Sequence, residues 1–104
     1  MNPEFLEWIY VLKATRLGML KEGPTDAEAQ CVGRHFHYLK DLTEQGVMIL
    51  VGRSLNDDEH TIGIAVFRAG TEDAAREIMQ NDPAVKEGVM SAELMPFKVA
   101  LRGQ

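Results

Sequence analysis

The sequence has little that would support disulfides, thiolate metal sites or a membrane span. Its single cysteine, Cys31, cannot form an internal disulfide and cannot supply a cysteine-based zinc site. No apolar run approaches the roughly 20 residues that a membrane-spanning helix needs. The amino terminus carries Glu4 and Glu7 where a secretory signal would carry basic residues. We therefore expect a cytoplasmic protein.

Positive charge is also scarce and is not clustered. Eleven Lys and Arg residues against sixteen Asp and Glu residues give a formal net charge of −5. Nucleic acids and anionic membrane surfaces are bound by concentrated basic surfaces, so neither is a predicted partner. The chain has 104 residues, of which 45% are hydrophobic and 26% charged. This size and composition predict a single globular domain over residues 1–104.

Periodicity and capping signals predict an alternation of strands and helices. Thr25 with Glu28 three residues later forms a capping box, and Gly46 is the expected end of the same helix. Pro96 cannot donate to a ladder, so the last strand is an edge strand or carries a bulge. The predicted elements are strand 5–14, helix 25–45, strand 47–52, strand 61–69, helix 72–81 and strand 91–101. This β-α-β-β-α-β order predicts a ferredoxin-like α+β fold with a four-stranded antiparallel sheet.

The distribution of apolar residues predicts self-association. Two helices can cover only one face of a four-stranded sheet, yet the first three strands carry apolar residues on both faces. A monomer would expose an apolar patch of a size that soluble proteins rarely show. We therefore expect a homodimer, or a higher oligomer built on dimers, with its sheets packed together about a two-fold axis. In the alternative, the long helix or the C-terminal tail covers part of the second face.

Two histidines in GRHFHYLKDLTEQG (33–46) are the first candidates for chemistry. On a helix, residues two apart point about 200° away from each other, so the two rings cannot share a task. His37 falls on the polar face, where pairing with Asp41 is expected. His35 falls on the apolar stripe, with Val32, Phe36, Leu39 and Leu42.

His35 has two interpretations, because an imidazole on a packed face must find a hydrogen-bond partner or incur a desolvation cost of about 1–3 kcal/mol. It is either a core histidine satisfied by a carbonyl or carboxylate, or a general acid–base oriented by a carboxylate. The candidate partner is Asp82 in NDPAVKEG (81–88), which is also expected to cap a one-turn helix that begins at Pro83. Cys31, one turn before His35, is predicted to be buried and inert.

Two other polar features are weaker candidates. Arg53 and Ser54 follow the second strand and are predicted to contact a polar or anionic substituent of a substrate, although an arginine at a strand end is more often a surface charge. The run at residues 57–60 lacks the spacing and the glycine of a calcium loop, so it is predicted to be a solvated hairpin tip. No metal and no cofactor are predicted.

Several of these residues together resemble the YCII-related family. The resemblance rests on H-x3-L-x6-G from His35 to Gly46, on the apolar strand ending in Gly52, and on DPAVKEGV (82–89) and ELMPF (93–97). It spans most of the chain and implies a dimeric α+β barrel with an active site that pairs His35 with Asp82. It also implies lyase-like elimination on small aromatic or polar molecules.

This chain departs from the family pattern at two places. It has Gly52-Arg53 where many members have Gly-Pro, and Arg34 directly precedes the histidine where many members have an arginine several residues earlier. Neither departure alters the histidine or the aspartate of the implied pair.

Three functional hypotheses follow from the sequence. The first is a homodimeric enzyme for a small molecule, with His35 as acid–base and Asp82 as its orienting partner. The second is a ligand-binding or accessory module in which the same pair is structural. The third is a cofactor-using relative, such as a haem-binding or monooxygenase-like protein, with His35 as the only packed histidine.

Overall fold

The computed structural model describes residues 7–103, and within that range it contains four strands and four helices. In chain order they are β1 (Glu7–Ala14), α1 (Gly18–Lys21), α2 (Asp26–Glu44), β2 (Met48–Arg53), β3 (Gly63–Arg68), α3 (Glu72–Gln80), α4 (Pro83–Lys86) and β4 (Met90–Phe97). The predicted β-α-β-β-α-β order is confirmed. Positions 5 and 6 of the predicted first strand lie outside the described residues.

The sheet has the strand order β2-β3-β1-β4, and each neighbouring pair is antiparallel. This is the ferredoxin-like arrangement that the sequence predicts. β1 is one of the two inner strands, and its Tyr10 lies opposite Ala65 of β3 and Leu94 of β4. β4 pairs only with β1, so Pro96 lies on an edge strand as predicted.

One face of the sheet carries the hydrophobic core. Side chains alternate between the two faces of a strand, and alternate residues of β1 (Trp8, Tyr10 and Leu12) are buried. They pack in one cluster with Phe67 of β3, Leu39 of α2 and with Ala75 and Met79 of α3. The rings of Tyr10 and Phe67 meet edge to face, with centroids 5.6 Å apart. The helices therefore cover this inner face.

The outer face of the sheet is apolar but only partly covered. A row of aligned residues crosses it, namely Leu50, Val66, Ile9 and Met95. Leu50 is 54% exposed and Met95 is 40% exposed. A groove of about 710 Å³ lies along this face, with residues 97–103 contributing one wall. The C-terminal tail thus borders the outer face without closing it.

The structure differs from the sequence prediction in two elements. The last strand ends at Phe97, which is paired with Glu7 of β1, rather than at residue 101. The short helix α1 was not predicted; it is only four residues long and carries no periodic signal. Within residues 7–103, no helix is both long and apolar enough to cross a membrane.

A polar network fastens α1 to the start of α2. The predicted capping box is present: Glu28 N–H donates to Thr25 Oγ1, and Thr25 N–H donates to Glu28 Oε1. The Arg16 guanidinium also donates to both oxygens of Glu28, at 2.9 and 2.5 Å. These bonds, with that of Arg16 first, lower the pKa of Glu28 from 4.5 to about 2.

This network predicts a specific dependence of stability on pH. Because the pKa of Glu28 is lower in the folded protein than in the unfolded chain, ionised Glu28 stabilises the fold at neutral pH, and this contribution is lost as the pH falls from about 4.5 to about 2. Glu28→Gln should therefore lower the free energy of unfolding at pH 7, and its difference from the unsubstituted protein should shrink toward pH 2. Urea unfolding followed by Trp8 fluorescence measures this. Glu44→Gln, which removes an exposed ion pair with Lys40, is the control. An equal difference at both pH values would contradict the assignment.

Candidate active site

Helix α2 places His35 against the core side of the protein. The capping box fixes the start of the helix, and Cys31 and Leu39, one turn to either side of His35, are both buried. The His35 side chain is 12% exposed. It is therefore nearly buried, and the sequence expectation that it lies on the packed face is confirmed.

Asp82 reaches His35 from the start of the one-turn helix α4. Asp82 is the N-cap of α4 with Pro83 in the first turn, and its Oδ1 accepts a hydrogen bond from Ala84 N–H at 3.0 Å. The same oxygen lies 2.7 Å from His35 Nδ1. The Asp82 side chain is 0% exposed. The structure thus brings together the two residues that the sequence singled out, although they are 47 positions apart.

A third residue completes the cluster, and sequence reasoning missed it. The Tyr10 hydroxyl donates to Asp82 Oδ2 at 2.8 Å, and Tyr10 is itself 0% exposed. Burial, followed by the charge of Asp82 and the bond to it, raises the pKa of Tyr10 far above its ordinary value of 10. The sequence did contain a signal for this contact, because Tyr10 is the one residue with a hydroxyl among the apolar residues of β1. A buried tyrosine usually finds a hydrogen-bond partner for its hydroxyl.

The geometry determines which nitrogen of His35 carries the proton. An ionised carboxylate can only accept hydrogen bonds, so the contact with Asp82 places a proton on Nδ1. In the neutral ring Nε2 then carries the lone pair. Nε2 has no hydrogen-bond partner among residues 7–103. The arrangement leaves one ring nitrogen free to accept a proton.

His35 forms part of the wall of a cleft of about 380 Å³ between α1, α2 and the inner face of the sheet. Its other walls are mainly apolar, including Leu12, Met19, Val32, Phe36, Val51, Ile62 and Met90. Phe36 was predicted on the packed stripe; it lines the cleft but is 63% exposed. A small cleft with apolar walls and few polar groups is typical of a site for a small molecule.

The two weaker candidates have different positions. Arg53 lies on the cleft, but its guanidinium donates to Asp57 Oδ1 at 2.6 Å and to the Ser54 carbonyl at 3.1 Å. Ser54 does not contribute to the cleft wall. Its hydroxyl instead accepts from Ile62 N–H at 2.9 Å and so joins the two sides of the hairpin. The structure therefore brings Arg53, but not Ser54, to the cleft that His35 lines.

The remaining candidates lie apart from the cleft. Cys31 is buried with its Sγ 3.5 Å from the Pro83 carbonyl, and burial raises the pKa of its thiol. It is thus a protonated thiol, as expected. His37 is exposed. Among the described residues, no group of three or more His, Cys, Asp or Glu side chains is arranged to hold a metal ion.

Comparison with solved structures supports the ferredoxin-like α+β fold. The profile of the YCII-related domain matches residues 6–98. The chain therefore belongs to the YCII-related family. Among curated proteins, none matches this sequence.

The solved structures similar to this chain include two enzymes and one uncharacterised protein. The 5-chloro-2-hydroxyhydroquinone dehydrochlorinase of Burkholderia phenoliruptrix AC1100, in complex with 2,5-dihydroxybenzoquinone, is 18% identical with a TM-score of 0.62, over 88% of this chain and 93% of that chain. An uncharacterised protein of Thermotoga maritima is 10% identical with a TM-score of 0.53, over 88% and 95%. A cofactor-independent oxygenase of Streptomyces nogalater is 15% identical with a TM-score of 0.49, over 93% and 96%. At these identities the first two establish the fold.

The hydrogen bond between Asp82 and His35 predicts how the ring titrates. Asp82→Asn removes a negative charge 2.7 Å from Nδ1, so His35 should take up a proton at a lower pH than in the unsubstituted protein. NMR of the ring protons across a pH series measures the midpoint. Asp41→Asn, next to the exposed helix face, is the control. An equal His35 midpoint in Asp82→Asn and the unsubstituted protein would contradict the hydrogen bond between Asp82 and His35.

Proposed function

We propose that this protein is an enzyme for a small molecule in which His35 accepts and returns a proton while Asp82 orients it. The observation that carries the proposal is the geometry of one side chain: Nδ1 is 2.7 Å from a fully buried carboxylate, while the ring lines a cleft. A fixed tautomer, a nearby carboxylate and access to a ligand space are what a general base requires.

The chemistry is a proton transfer of the lyase or isomerase kind. Nε2 takes a proton from an O–H or C–H group of the substrate, and Asp82 stabilises the imidazolium that forms. In an elimination, the electron pair of the broken C–H bond becomes the new double bond and the leaving group departs with its own bonding pair. In an isomerisation, the proton returns to a different atom of the same molecule.

The walls of the cleft favour a substrate that is mostly apolar with one or two polar groups. Burial of polar atoms without partners is costly, and the polar groups that line the cleft are few, with His35, Arg53 and Thr61 among them. Arg53 is available for an anionic substituent if Asp57 releases its guanidinium. Ser54 keeps its hydroxyl in the hairpin, so only Arg53 of the predicted pair is retained here.

The similar dehydrochlorinase supplies the first compounds to test, since its structure contains 2,5-dihydroxybenzoquinone. Hydroxylated benzoquinones and chlorinated hydroquinones are planar, fit the described volume and carry ionisable hydroxyl groups. They are chosen as probes of the cleft, with 2,5-dihydroxybenzoquinone first.

A second candidate function is a ligand-binding or accessory module without turnover. The observation that favours it is that Asp82 already has two structural tasks, because it caps α4 and accepts from Tyr10. In that case the bond to His35 serves to satisfy a buried histidine. With either function, we predict a cytoplasmic location and a single domain over residues 1–104.

The enzyme proposal makes a prediction about two histidines on one helix. With a quinone or hydroquinone that raises the melting temperature, His35→Gln should lower turnover by about 10²–10⁴-fold, the usual contribution of a general acid–base. His37→Gln, an equal change on the exposed face of α2, should leave turnover unchanged. Absorbance of the quinone product follows the reaction, and differential scanning fluorimetry follows binding. Equal turnover in His35→Gln and the unsubstituted protein would reject His35 as the acid–base. Ligand binding without any turnover would reject the enzyme and support the accessory module.

We also propose that two copies of the chain pack through the outer face of the sheet. The support is the apolar row that crosses this face, in which Leu50 and Met95 are exposed in the single chain. Isologous packing would cover this row in both copies.

The dimer proposal is tested by solution mass. Light scattering with size exclusion should give twice the 11.6 kDa mass of the chain. Leu50→Glu should give a monomer, because a buried unpaired carboxylate at an interface is strongly unfavourable. Leu55→Glu, the same type of change at a hairpin residue that is 81% exposed, should remain dimeric. A monomeric unsubstituted protein would contradict the proposal.

A further inference from the structure

We propose that Tyr10 is a positioning residue of this site: its phenol holds the Asp82 carboxylate in one orientation and sets how readily the His35–Asp82 pair takes up a proton. The inference rests on the proposed function, because proton uptake matters to activity only if His35 exchanges protons with a substrate. The geometry and its test nevertheless concern the free protein.

The two oxygens of the Asp82 carboxylate have different hydrogen-bond partners. Oδ1 is shared by His35 Nδ1 at 2.7 Å and Ala84 N–H at 3.0 Å. Oδ2 accepts from the Tyr10 hydroxyl at 2.8 Å. These three groups come from α2, α4 and β1. Tyr10 is the one side chain among residues 7–103 that binds the oxygen facing away from the histidine.

The direction of the hydrogen bond between Tyr10 and Asp82 follows from the protonation of the phenol. Burial, followed by the charge of Asp82 and the bond to it, raises the pKa of Tyr10 well above its ordinary value, so the hydroxyl keeps its proton at neutral pH. A carboxylate cannot donate. The phenol is therefore a permanent donor to Asp82.

Packing explains the ring of Tyr10 but not its hydroxyl. The ring meets Phe67 edge to face within the core cluster, and a phenylalanine would make the same contact. The hydroxyl is useful only toward Asp82, its one partner among the described residues. Without it, Oδ2 would be a charged oxygen buried without a partner, which costs free energy, so the bond from Tyr10 is one of the contacts that fix the orientation of the carboxylate.

The sign of the effect on proton uptake is fixed by the same bond. A hydrogen bond to an anion favours the ionised form, so loss of the phenol makes the anion a stronger base. Asp82 and His35 are directly hydrogen-bonded, so a more basic carboxylate favours the protonated form of the pair, and we expect proton uptake at a higher pH whichever group holds the proton. The other titratable groups near Asp82 are Tyr38 and Cys31 on α2, and these two have Glu77 on α3 and Glu87 after α4 as their own neighbours. Tyr10→Phe changes none of these four groups.

The test replaces each of the two tyrosines of the chain in turn. Tyr10→Phe should raise the midpoint of the His35 titration, followed by NMR, by about 0.5–1 pH unit. Tyr38→Phe is the matched control, because it removes a phenol hydroxyl that donates to the Ile78 carbonyl at 2.7 Å instead of to Asp82. It should lower stability to a similar extent and leave the midpoint unchanged.

A second measurement avoids the loss of a buried hydrogen bond. In the Tyr38→Phe background Tyr10 is the sole tyrosine, so growth on 3-fluorotyrosine places the label at this position alone. The fluorinated phenol is more acidic and a stronger donor. The His35 midpoint should then fall, which is opposite to the change in Tyr10→Phe and is decisive if the latter does not fold.

A rise in one variant and a fall in the other would establish the positioning role. A midpoint that is the same with tyrosine and fluorotyrosine, or that moves equally in Tyr38→Phe, would make Tyr10 a core residue only and overturn the inference. Because the titration uses ligand-free protein, shifts of the predicted sign without turnover of any quinone would contradict the proposed enzyme and leave the positioning role intact.

Discussion

The structure depends on one buried carboxylate. Asp82 is the only charged side chain that is buried among residues 7–103, and a buried charge is tolerated only when it is hydrogen-bonded. Its partners are a phenol from β1, a backbone N–H of α4 and an imidazole from α2. A strand, a long helix and a one-turn helix must therefore lie at fixed positions for this single group to be satisfied. The same contacts that stabilise the fold align His35 with the cleft.

The two faces of the sheet differ in character as a consequence. Tyr10 and its buried neighbours direct the polar cluster to the inner face, where α2 and α4 supply the other members. Alternate residues of the same strands form the apolar row of Leu50, Val66, Ile9 and Met95 on the outer face. The proposed chemistry and the proposed self-association therefore use opposite faces of the sheet and can coexist.

Local signals predicted most of the fold. Capping by Thr25, the apolar stripe of α2 with His35 on it and the position of Pro96 each depend on residues close in sequence, and each has the predicted structure. The end of β4 was not predictable in this way, because a strand is defined by its pairing across the sheet, here with β1, which is distant in sequence. α1 was missed because a single helical turn has too few residues for a period.

The site was predictable only where a polar side chain on a packed face required a hydrogen-bond partner. A histidine on a packed face requires a partner, and that requirement together with the family resemblance pointed to Asp82. The role of Tyr10 was not predicted, because a tyrosine in an apolar strand is treated as a core residue. Its hydrogen bond to Asp82 also joins residues 72 positions apart. The contact of Arg53 with Asp57 depends on the shape of the hairpin loop, which sequence patterns do not specify.

The central claim is that Asp82 holds the proton of His35 on Nδ1 and leaves Nε2 free toward the cleft. The most direct test is the ¹⁵N spectrum of the unsubstituted protein, labelled at histidine, above the pH at which the ring is protonated. The account predicts that neutral His35 carries its proton on Nδ1, while the exposed His37 and His60 show the averaged shifts of free imidazoles. A neutral His35 with its proton on Nε2, or with the averaged shifts of the exposed rings, would contradict it.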